Sequence, residues 1–145
     1  MATTQKRNFS KGDRVYLVDC WGTSSGPRAF ANLATVEIVE ETSLILKIEG
    51  RTYQQYSIYD YGRLIFDTRT EAETAASQLP KPKSIIYRKN KNNTTSKLVV
   101  RGIWYKVMYG IVKLVIKLEN GEDVCIDRIG GDIFLSKQSL KAKSV

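Results

Sequence analysis

At 145 residues and 42% apolar content the chain is sized for one ordinary domain or two very small ones, each with a packed core. It holds no histidine, two cysteines and a formal net charge of +8. That removes Ser-His-Asp and Cys-His nucleophile systems, imidazole bases and His-ligated zinc. Neither G-x-x-x-x-G-K-[ST] nor G-x-G-x-x-G occurs, so both common phosphate cradles are missing. Glu40-Glu41 and Glu122-Asp123 sit near apparent turns and read as solvated charge. No catalytic residue, cofactor or metal is expected. Cys20 and Cys125 read as two reduced thiols, with a bridge between them left open. No apolar run approaches the ~20 residues of a membrane helix and the first residues have no signal-peptide core, so a cytoplasmic protein without a membrane partner is expected.

In chain order, Lys11-Gly12-Asp13 predicts a turn and Arg14–Val18 a strand. The stretch KGDRVYLV resembles the first strand of SH3-like small β-barrels of the KOW and Tudor kind, in which a K-G-D or similar turn precedes V-x-V; the resemblance implies a small barrel. Residues 19–30 carry two glycines, a proline and small polar residues, which predicts a loop. Residues 34–39 and 43–48 read as paired strands. Glu49-Gly50-Arg51 then turns the chain into a strand over 52–59, and 64–66 is a short apolar strand. Thr68 and Glu71 fit a capping box opening a helix over EAETAASQL, which Pro80 and Pro82 stop.

The second half has the same plan. Residues 84–88 and 97–105 read as strands joined by the tip KNKNNTTS, which is expected to be mobile. Over 111–119, Val112, Leu114, Ile116 and Leu118 alternate against Lys113, Val115, Lys117 and Glu119, the period of a strand with one face on the core. Asn120-Gly121 signals a hairpin, and 124–129 returns. Laying Phe66 on Phe134 also lays Gly62 on Gly130, Ile65 on Ile133 and Thr68 on Ser136; with a two-residue gap Ile48 falls on Leu118. The fold expected is mostly β, a β-rich α+β protein. It comprises two tandem SH3-like or related small units from an internal duplication, each ending in a short helix. The first unit spans 1–79 and the second 84–145, with 80–83 as linker.

Charge separates the halves. Residues 1–75 hold nine Lys/Arg and ten Asp/Glu, whereas 76–145 hold fourteen and five. A clustered positive field favours a polyanion. Small barrels bind nucleic acid with cations on phosphate and aromatic faces on bases. The residues read as the contact surface are Lys83, Arg88, Lys89, Lys91, Lys97, Arg101, Trp104 and Lys106, with Trp104 and Lys106 as an exposed pair. The function expected is binding, not catalysis, with nucleic acid or a nucleoprotein complex as partner. The alternative is an accessory protein that occupies a site on a host protein, of the type of phage and mobile-element inhibitors such as anti-CRISPR proteins. Oligomeric state is left open.

Overall fold

Alternating apolar strands broken by glycine turns build two five-stranded antiparallel sheets in the computed structural model, which describes residues 7–144, with side chains as far as residue 140. The first sheet holds β1 (Arg14–Thr23), β2 (Gly26–Val39), β3 (Ser43–Ile48), β4 (Tyr53–Ser57) and β5 (Ile65–Phe66), in the order β4-β3-β2-β1-β5. The second holds β6 (Ile85–Lys89), β7 (Thr95–Met108), β8 (Ile111–Leu118), β9 (Asp123–Cys125) and β10 (Ile133–Phe134), in the order β10-β6-β7-β8-β9. Each fifth strand is followed by a helix, α1 (Arg69–Ser77) or α2 (Lys137–Ser144). In both sheets the fourth strand runs into one 3-10 turn, Ile58–Asp60 or Ile126–Arg128, and the fifth strand lies antiparallel beside the first. Neither sheet closes into a barrel. The two-residue β5 and β10 supply too few backbone pairs to span from one edge to the other.

The chain divides into two compact units that do not follow sequence order. Unit 1 takes residues up to Cys20, 29–79 and 105–113; unit 2 takes 21–28, 80–104 and everything from Leu114. The turn ends of the β1–β2 and β7–β8 hairpins are thus the segments that change unit. Nothing in the composition of 21–28 or 105–113 signals this.

The expected loop over 19–30 is instead a continuous hairpin, with the turn confined to Ser24-Ser25. Thr23 Oγ1 closes it by donating to the Gly26 carbonyl at 2.6 Å. Its glycine and proline serve a close approach of backbones within unit 2. A Cβ on Gly26 would stand 2.5 Å from the Arg101 carbonyl, and one on Gly102 2.0 Å from the Pro27 carbonyl, at φ +128° and +152°. Only glycine fits such a crossing. The strand expected over 52–59 also stops early. Ser57 Oγ accepts from Tyr59 N at 3.1 Å and turns the chain out of the ladder.

In unit 1 the buried cluster is Val15, Leu17, Ala34, Val36, Leu44, Leu46, Ile48, Tyr56, Ile65 and Val112, with Phe9, Ile58, Tyr61 and Tyr105 packed against it. Unit 2 buries Ile86, Leu98, Val100, Ile103, Leu114, Ile116, Leu118, Val124, Ile133 and Phe134. The predicted alternation of β8 holds, with Val115 buried as well. Ile65 and Ile133 are both fully buried, but Phe66 is half-buried where Phe134 is buried. Both helices begin as read. Thr68 Oγ1 accepts from Glu71 N at 3.2 Å, and Ser136 Oγ accepts from Ser139 N at 3.1 Å.

Candidate nucleic-acid interface

Strand pairing sorts the residues of β6 and β7 onto two faces. Ile86 opposes Leu98, and these point into the core with Val100; Ile85 opposes Val99, Tyr87 opposes Lys97 and Lys89 opposes Thr95 on the other side. Alternation adds exposed Arg101 to that outer face. Ile85 is 47% exposed and Val99 38%. On β6 and β7 the outer face is therefore an apolar strip with Tyr87, flanked by Lys89, Lys97 and Arg101. Phe134 pairs with Tyr87, which puts its ring on this face. α2 packs against β6 and β10. A groove of about 340 Å³ lies there, lined by Tyr87, Thr95, Lys97, Lys137 and Leu140.

The eight residues read from sequence distribute unevenly. Lys97 and Arg101 are exposed on the outer face, and half-buried Lys89 shares it. Lys91 lies in the turn between β6 and β7. That turn is knit by Asn90 N to the Thr94 carbonyl (2.8 Å) and Asn90 Nδ2 to Ser96 Oγ (2.9 Å), with Asn93 at φ +66°. Lys83 is exposed before β6, its backbone N bonded to the Val100 carbonyl at 2.7 Å.

Arg88 points to the core side of the sheet's end. It holds Glu122 through two hydrogen bonds of 2.9 and 3.2 Å, which raise its own pKa above the ordinary guanidinium value and lower that of Glu122. A phosphate would have to displace that carboxylate. Trp104 is half-buried, not exposed. The alternation that placed it outward breaks at Gly102-Ile103, two consecutive buried residues. Lys106 is exposed but belongs to unit 1, so the expected Trp104–Lys106 pair falls in different units. Among the described residues Lys83, Lys89, Lys91, Lys97, Arg101 and Lys106 enter no ion pair, whereas Lys117 holds Asp123 at 2.9 Å and Arg128 holds Asp132.

Tyr87, Lys137 and Leu140 were missed by the sequence reading. The signal for Tyr87 was present: Ile85, Tyr87 and Lys89 alternate with Ile86 and Arg88, so one outward position names all three. Lys137 and Leu140 reach the same groove from α2, which no local pattern reports.

Unit 1 treats its charges differently. Asp19, only 1% exposed, accepts from Cys20 N (2.8 Å) and Asn32 Nδ2 (3.1 Å) and is paired with Arg51, whose guanidinium lies 4.4 Å from the Tyr105 ring centroid. Burial, and then the Asp19 charge, push the Cys20 thiol up to about 12. Such a thiol is protonated near neutrality and is no nucleophile. Both cysteines are free. Among the described residues no three His, Cys, Asp or Glu side chains gather to hold a metal, and no helix is long and apolar enough to cross a membrane. A scan of protein-family models gives no match to this chain, and a search of curated proteins gives none either.

Proposed function

We propose that the protein is a non-enzymatic nucleic-acid-binding protein, acting on free nucleic acid or a nucleoprotein complex in the cytoplasm through the outer face of unit 2. The observation that carries this is the distribution of charge. Unit 2 holds thirteen Lys/Arg against five Asp/Glu, while unit 1 holds ten of each, so the whole net charge resides in one unit. From Pro80 to Trp104 there are seven cations and no acid. Those on the outer face are unpaired and stand beside an aromatic ring, the combination that single strands use. The fold is in keeping with this reading. Five strands in the order fifth-first-second-third-fourth, with a 3-10 turn before the fifth, are what an opened SH3-like unit would show, and their recurrence supports an internal duplication.

Titrating a labelled oligonucleotide at several salt concentrations tests the reading. Affinity falls steeply with salt if phosphates are neutralised, since releasing condensed counterions gives a log–log slope of about −0.9 per contact on duplex DNA. Absence of binding at low salt overturns it.

One observation favours the alternative of an inhibitor or accessory protein, of phage or mobile-element type, that occupies a site on a host protein. In unit 1 the β7–β8 turn presents Val107 (55% exposed), Met108 (41%) and Tyr109 (fully exposed, φ +53°) side by side. An apolar tip of this kind suits a protein pocket, and its binding would persist at high salt.

A further inference from the structure

Resting on the nucleic-acid reading above, we propose that the groove between α2 and the outer face of β6–β7 is a nucleotide subsite for single strands: one unstacked base lies over Tyr87 while Lys97 and Lys137 hold its phosphate. The two units supply the comparison that leads there. Tyr16 pairs with Phe66 in unit 1 as Tyr87 pairs with Phe134 in unit 2. The residue after the helix cap is Arg69 in one and Lys137 in the other, and the inward residue of the first turn is Ala72 in one and Leu140 in the other.

In unit 1 the planar guanidinium of Arg69 lies over the Tyr16 ring, 5.1 Å from its centroid, so the chain covers that tyrosine itself. Among the described residues of unit 2 no cation lies over the Tyr87 ring. Lys137 has no planar group to lay on a ring, and about 340 Å³ of groove is left beside Tyr87. That volume falls at the small end of ligand pockets, roughly 300–1,000 Å³, which suits one base and not a folded peptide segment.

The lining states the rest of the chemistry. Tyr87 and Leu140 offer apolar surface, Lys97 and Lys137 are two cations, Thr95 is a hydroxyl, and among the described residues no carboxylate lines the groove. An occupant must then combine a flat apolar part with negative charge. A nucleotide of a single strand does. A duplex does not, because its bases are paired and stacked out of reach.

The test compares a 5′-labelled dT 12-mer with a 12-base-pair duplex by fluorescence anisotropy, for wild type, Tyr87→Leu, Tyr87→Phe and a Lys97→Gln, Lys137→Gln double variant. Circular dichroism melts check folding. Tyr87→Leu should bind the single strand roughly 5- to 100-fold more weakly, from the loss of one stacked base, with an unchanged salt slope. Tyr87→Phe keeps the ring and should restore the single-strand binding that Tyr87→Leu loses, and the lysine variant keeps the test decisive if the leucine variant folds poorly. The lysine variant should lose up to about 0.7 of slope per contact on the single strand. Duplex binding should change little on replacing Tyr87.

If wild type binds the single strand but the folded Tyr87→Leu and the lysine variant bind it equally well, the subsite is overturned and the basic face stands. Equal weakening of both nucleic acids by Tyr87→Leu overturns it too. If wild type binds neither oligonucleotide, the functional reading itself has failed, and the subsite with it.

Discussion

The two units share a strand order and differ in where they keep charge. Unit 1 buries two carboxylates, Asp19 and Asp60, each with its own arginine, and its formal charges cancel. Among the described residues unit 2 buries no charged side chain; it carries its excess cations on the surface and pairs Arg88 and Arg128 only in exposed bridges. One plan of strands thus serves two uses of an ion pair. Inside unit 1 the pair ties the base of a hairpin to its neighbours, whereas on unit 2 the unpaired cations are left facing solvent. The tyrosine beside each fifth strand shows the same division, covered by Arg69 in unit 1 and bordering an open groove in unit 2.

Breaking the buried pair should give the largest effect. Arg51→Ala leaves the Asp19 carboxylate buried without its cation and is expected to cost ~3–5 kcal/mol, while Arg88→Ala removes a surface pair and should cost no more than ~1 kcal/mol. Urea melts of the two variants measure the difference. Equal losses would show that the two ion pairs do the same job.

The phenylalanines sharpen the comparison next. Phe134 is 3% exposed and Phe66 half-buried, so Phe134→Ala is expected to cost ~3–5 kcal/mol and Phe66→Ala clearly less. Ile65→Val and Ile133→Val, at sites both fully buried, should cost the same ~1 kcal/mol within error. Unequal isoleucines would mean that the two fifth strands are not equivalent.

Alkaline pH acts on unit 1 through Cys20. Its folded-state pKa of about 12 lies above the 9.0 of an unperturbed thiol. The contribution is fully present below about pH 9 and is lost as pH rises toward the folded value, because only the unfolded chain releases its proton in that window. At about pH 10.5 the loss is roughly 2 kcal/mol at about 1.4 kcal/mol per unit. Tyr56, pushed up mainly by burial, adds in the same direction. Cys20→Ala should therefore flatten the fall in stability between about pH 9 and about pH 10.5, and an unchanged profile would show that the thiol is not what titrates.

How much of this was legible in the sequence depends on whether a residue's role was local. Leu44, Leu46 and Ile48 alternate along one strand, and Thr68 caps a helix three residues away, so both elements were readable where they stand. Gly26 and Pro27 were misread because their partners, Arg101 and Gly102, lie more than seventy positions onward; a loop and a tight backbone crossing call for the same residues. Trp104 was misplaced by a break in alternation that only the fold imposes. Of the proposed contact surface, the cations were visible as composition. Which of them stay unpaired was not, since Arg88 finds Glu122 only once β6 has folded into its sheet.

The claim that one unit carries the binding is tested most directly by charge removal at matched positions. Lys89, Lys97 and Arg101 replaced by Gln in unit 2, and Lys11, Arg14 and Lys47 replaced by Gln in unit 1, give two variants that each lose three cations. The slope of log affinity against log salt on a short DNA duplex is then measured for both. The unit 2 variant should lose affinity and up to ~0.9 of slope for each phosphate contact removed, while the unit 1 variant keeps the wild-type slope. Equal losses in the two variants would contradict the account, because the attraction would then come from net charge and not from the outer face of unit 2.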